Sequence, residues 1–128
     1  MDINSIKTLE TSMVEILDPI TYEKTDIKVE VYGQDSKEFK KLSSSLRAKN
    51  LSSDLSEDDK EKNIDLHYAS CVVSWQNVEE KNDKGKLVPI ECTTENVLRV
   101  FSLLPWLKDQ VIGHIIERSN FLERKGSN

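Results

Sequence analysis

Residues 27–32 read Ile-Lys-Val-Glu-Val-Tyr and alternate without a break, with Ile27, Val29 and Val31 on one face and Lys28, Glu30 and Tyr32 on the other. Successive side chains of an extended chain point to opposite faces of a sheet, so this pattern commits the segment to a half-buried strand. A strand of that kind needs a neighbour for its backbone groups. The nearest candidate is the upstream run Leu9-Glu10-Thr11-Ser12-Met13-Val14-Glu15-Ile16-Leu17. Asp18-Pro19 follows it, and proline fixes φ and lacks an N–H, which marks a strand end. The two runs predict an antiparallel hairpin over residues 9–33 with a long loop, closed by Gly33.

Downstream the period changes. Asp35 with Glu38 three residues later has the logic of a capping box, an acceptor for the free N–H groups of a helix start. Phe39, Leu42 and Leu46 then recur at helical spacing, which predicts an amphipathic helix over residues 36–50. Lys37, Lys40, Lys41, Arg47 and Lys49 make its basic side, read as a solvated face. Residues 52–63 are polar and form a linker or the solvated first turns of a second helix, with Ser56 and Asp59 resembling a cap. Glu57, Asp58, Asp59 and Glu61 then sit where a helix dipole favours negative charge, without the glycine and alternating oxygens of a calcium loop.

Ile64, Tyr68, Cys71, Val72 and Trp75 fall at helical intervals and predict a helix to residue 77. Cys71-Val72-Val73-Ser74-Trp75 carries a competing strand signal, so residues 70–76 stay open between the two. Asn82-Asp83-Lys84-Gly85-Lys86 reads as a turn, and Leu87-Val88-Pro89-Ile90 as a short extended piece confined to an edge by its proline. Thr93 or Thr94 caps a third helix with Val97, Val100, Phe101 and Leu104 as its stripe. Pro105 suits the first position of a new helix. That last helix is expected over residues 105–121, with Leu107, Val111 and Ile115 leading its apolar side, and the tail 124–128 is expected to fray. The reading is therefore one α+β domain over residues 1–128. An N-terminal antiparallel β-hairpin (9–33) precedes a mainly helical region of three to four amphipathic helices (36–77 and 94–122).

Composition bounds the chemistry. The chain has 128 residues, 18 Lys+Arg against 23 Asp+Glu and a net charge of -5. A domain of this size buries about two thirds of its unfolded surface, enough for one core. No window approaches the roughly 18 apolar residues of a membrane span. The start lacks a secretory pattern, and two cysteines cannot staple a fold, which fits the cytosol. His67 and His114 have no ligand partners at zinc spacing, Cys71 lies on an apolar stripe, and Cys92 sits in a loop where it is expected to be exposed. The acidic balance disfavours nucleic acid. No cofactor, metal or catalytic constellation is evident, which argues against an enzyme. Trp106 follows Pro105 beside Leu103, Leu104 and Leu107. Core packing is its first reading and a partner contact the second, because tryptophan is enriched in binding hot spots. Phe121 and Leu122, on the expected last turn, are candidates of the same kind.

Three landmarks occur in order. The first is Val14-Glu15-Ile16-Leu17-Asp18-Pro19-x-Thr21, then Ile27-x-Val29-x-Val31-x-Gly33-x-Asp35-Ser36 entering a charged helix. The second is Trp75, the turn at Gly85, Pro89, and Thr94-Glu95-Asn96-Val97 opening a leucine-rich helix with a proline. The third is a closing amphipathic helix ending near Asn120-Phe121-Leu122. Over about residues 10–123 this layout resembles the tail assembly chaperones of long-tailed phages and prophages. The resemblance implies a host-cytoplasmic protein, absent from the mature virion. It would bind the tape measure protein, keep it soluble and help recruit tail tube subunits, without cofactor or catalytic residues. Many such chaperones are also made as a longer frameshifted product. The family has no contact motif, so Leu103, Trp106, Phe121 and Leu122 are partner-binding candidates on general grounds, and the same surface can serve self-association. The alternative is a structural phage protein such as a head–tail connector or tail-completion protein.

Overall fold

Strands β2 (Thr11–Leu17) and β3 (Lys24–Tyr32) pair antiparallel, with Val14 opposite Val29 and Ser12 opposite Val31, in a computed structural model that describes residues 1–51 and 54–126. The alternation does what it predicts: Val14, Ile16, Val29 and Val31 are buried, while Lys28 and Glu15 face outward. Each such buried aliphatic side chain stabilises the fold by roughly 1.5–3 kcal/mol before entropy is counted. The connecting loop is organised by Asp18, whose Oδ1 accepts N–H bonds from Ile20 at 2.8 Å and Thr21 at 3.1 Å. These bonds hold its carboxyl below the usual carboxylate range.

The helix expected to run to residue 77 stops at Ser70, and the competing strand forms instead. Helix α2 (Glu57–Ser70) ends as the Cys71 N–H bonds the Tyr68 carbonyl at 3.1 Å. Strand β4 (Val72–Gln76) then adds to β3, with Trp75 opposite Val29 and Val72 opposite Val31, giving the sheet order β2-β3-β4. The reason is tertiary: a buried central strand must satisfy backbone groups on both sides. The β-branched and aromatic residues of 72–75 suit that pleated surface. Val73 is the extra residue where the register shifts.

The helices cover one face of this sheet. Helix α1 (Lys37–Asn50) is capped by the buried Ser36, whose Oγ accepts the Phe39 N–H at 3.1 Å. Asp35 is therefore not the cap; its carboxylate takes a two-pronged bond from Arg118 instead, at 2.6 and 3.1 Å. Ser56 caps α2 through the Asp59 N–H, as expected, whereas Ser52 and Ser53 of the polar stretch lie outside the described residues. Helix α3 (Thr94–Leu103) is capped by Thr93 and buries Val97, Val100 and Phe101. Helix α4 (Pro105–Ile116) has Pro105 in its first turn and lays Leu107, Val111 and Ile115 against β2 and β3.

Helix α4 ends five residues before the expected position. Asn120 Nδ2 donates to the His114 carbonyl and Gln34 Nε2 to the Ile116 carbonyl, both at 3.1 Å, so side chains from elsewhere take up the last free carbonyls. A short 3-10 turn (Arg118–Phe121) follows. The chain then enters strand β7 (Leu122–Arg124), antiparallel to β1 (Ile6–Thr8) with Thr8 opposite Leu122. The expected frayed tail is thus ordered at Arg124 and Lys125, whose N–H bonds the Ser5 carbonyl at 2.9 Å; Ser127 and Asn128 lie outside the described residues. Among the described residues, no helix is long and apolar enough to cross a membrane.

Candidate partner-binding groove

The groove begins where β4 ends. Asn77 adopts a left-handed conformation, φ +64°, which asparagine tolerates better than most side chains, and its Nδ2 bonds the Asp26 carbonyl at 2.8 Å. Val78 is buried and receives the Ile90 N–H at its carbonyl, 2.9 Å. Trp75 Nε1 donates to the Ile90 carbonyl at 2.8 Å, fixing the same point from the sheet side. From this root a second hairpin projects, strand β5 (Glu79–Lys81) pairing with β6 (Leu87–Pro89). Its turn is the one expected: Asn82 Oδ1 accepts N–H bonds from Lys84 and Lys86, and Gly85 supplies a φ of +74°. Strand β5, Glu-Glu-Lys, had no sequence signal of its own.

Between this hairpin and the corner where α3 meets α4 lies a groove of about 400 Å³. Ile27, Val100, Leu104 and Leu107 form its floor. Val78, Leu87 and Ile90 make the hairpin wall. Leu103, 66% exposed, and Leu87, 55% exposed, stand at the rim. Both are large apolar residues left in water at the lining of the same groove. Arg99 grips Glu80 with both terminal guanidinium nitrogens, at 2.9 and 3.1 Å. That hydrogen bond and charge hold the Glu80 carboxyl below the usual carboxylate range. Beside it, Glu79 is exposed.

Of the four partner-binding candidates, only Leu103 lines this groove. Trp106 is half-buried and packs on the core. Leu122 sits in β7, 37% exposed, away from the groove. Phe121 is overturned as a docking residue: it is 2% exposed, because the chain leaves the helix at Ile116 and turns the ring inward. The ring covers Gly33 so closely that a Cβ there would stand 2.6 Å from it. Leu87, Ile90 and Val78 were not singled out from sequence; the exposed leucine in an extended run with proline was the only available clue.

The polar candidates are structural. Cys71 is fully buried and its thiol is pushed up to about 12 by burial. Cys92 is half-buried rather than exposed, and burial raises it too. His67 is buried between the rings of Phe39 and Tyr68, both 4.9 Å away and edge-on, and its Nδ1 has no hydrogen-bond partner. His114 Nε2 lies 3.0 Å from Ser12 Oγ. Burial lowers both imidazoles from their ordinary 6.5, opposed in His67 by a hydrogen bond the ring donates to the Leu42 backbone. The folded state then binds fewer protons than the unfolded one below that value, so stability falls as pH falls through it. Urea titrations at pH 7.5 and 5.5 should show that loss, and His67→Leu should make it smaller. An equal loss in the variant would remove His67 from the account. Among the described residues, no group of three or more His, Cys, Asp or Glu side chains is placed to hold a metal ion.

Compared with protein-family models, with curated proteins and with solved structures, the chain has no match.

Proposed function

We propose that the protein is a phage tail assembly chaperone that binds the tape measure protein, keeps it soluble and helps recruit tail tube subunits during tail assembly. The observation that carries this reading is the apolar groove with Leu103 and Leu87 exposed at its lining. Its lining suits the apolar face of an amphipathic helix, read at i, i+3, i+4 and i+7. A tape measure protein, long and helical, offers such faces repeatedly. The net charge of -5 helps keep a loaded complex in solution. In this reading the protein is a transient carrier and not an enzyme; it works in the host cytoplasm without cofactor, nucleic acid or membrane, and leaves before the virion is complete.

Co-expression with the tape measure protein of the same phage tests it. The soluble yield of that protein should rise, and the two should co-purify. No gain in yield together with no co-purification would sink the reading. Finding the protein in purified virions would favour a head–tail connector or tail-completion role instead.

A further inference from the structure

We propose that the β5–β6 hairpin is a hinged flap beside the groove, latched by the Arg99–Glu80 pair, and that release of the latch widens the groove for a partner helix. The choice of occupant rests on the function proposed above; the flap itself rests on the hairpin's attachments. Residues 79–87 are all exposed, and β5 and β6 pair with each other and with no other strand. Beyond the root at Asn77, Val78 and Ile90, the only side-chain hydrogen bond or ion pair between the hairpin and the rest of the described residues is Arg99 to Glu80. That pair is itself solvent-exposed, and exposed ion pairs are weak ties. The root is built as a pivot: left-handed Asn77 on one strand, the Trp75–Ile90 bond on the other.

The hairpin contributes Val78, Leu87 and Ile90 to the groove, so its position sets the width open to a helix laid along Val100 and Leu104. The exposed Glu79 and the released Glu80 would then face the helix, which favours a partner with Lys or Arg flanking its apolar stripe.

The first arm of the test needs no partner. In a Cys92→Ser background, Val100→Cys places a thiol in the groove beside the flap, and Val97→Cys places one on the same helix outside the groove. Glu80→Gln should speed labelling at position 100 by N-ethylmaleimide several-fold and leave position 97 unchanged. Should Val100→Cys fail to fold, Leu104→Cys takes its place. Equal rates with and without Glu80→Gln would overturn the flap. In the second arm, Glu80→Cys and Arg99→Cys are joined by a short bis-maleimide, with the same thiols capped singly as the control. The cross-linked form should bind a soluble helical segment of the tape measure protein roughly tenfold more weakly than the control. Equal affinity would overturn the gating role. Faster labelling with no binding by either form would leave the flap standing and remove the tape measure protein as its occupant.

Discussion

Phe121→Ala should lower the unfolding free energy by about 3–5 kcal/mol, the range for a fully buried aromatic ring. Against the roughly 5–15 kcal/mol of a typical domain, this is a large share of the total. The ring lies over Gly33, edge-on to His114 at 5.6 Å, at the junction of β3, α4 and the terminal β1–β7 ribbon. Urea denaturation followed by tryptophan fluorescence would measure it as a shifted midpoint at constant slope. A loss under about 1 kcal/mol would show that the ring is not part of the core. The contact can be probed from the other side. Gly33→Ala forces a methyl into the ring and should cost about 1–3 kcal/mol in the parent. In the Phe121→Ala background the same methyl meets empty space, so the two losses should fall well short of adding.

Leu103→Asp should do the opposite: leave stability within about 0.5 kcal/mol and remove partner binding. The side chain is mostly in water, so the folded state has little to lose. A charge at the rim of an apolar groove must be desolvated when a helix docks. Leaving that charge unpaired under a docked helix should cost about 2 kcal/mol or more, about thirtyfold in affinity. Trp106→Ala supplies the contrast. Its ring packs on the core and not in the groove, so it should cost about 2–3 kcal/mol of stability, below the fully buried range, and leave affinity unchanged. Calorimetric titration of a soluble tape measure segment, beside urea curves for each variant, reads both effects. If Leu103→Asp binds like the parent, the groove is not the docking site.

The elements legible in the sequence are those whose cause is local. The alternation at 27–32, the caps at Ser56 and Thr93, Pro105 at a helix start and the turn around Asn82 and Gly85 each act within a few residues. What escaped was set from a distance. Residues 71–75 fit both periods, and the bare side of β3 decided between them. Helix α4 stops without glycine or proline because Gln34 and Asn120 take its final carbonyls. Ile6–Thr8 and Leu122–Arg124 are three residues each, too short to show a period, and meaningful only once paired. The groove shares that origin. Leu103 was visible as an apolar residue near a helix end, but the hairpin wall comes from Leu87 and Ile90, whose relation to it appears only after β4 and the second hairpin form.

The β1–β7 ribbon joins residues 6–8 to residues 122–124, and Phe121 beside it completes the packing over Gly33. A ribosome releasing this chain from its N-terminal end exposes β2 and β3 early, yet their last cover arrives more than 80 residues later. The domain therefore completes its packing only after residue 124 has left the exit tunnel. Until residue 124 clears the exit tunnel, the Gly33 side of the sheet stays open, and the nascent chain carries the kind of unprotected apolar surface that its folded form is proposed to shield in another protein.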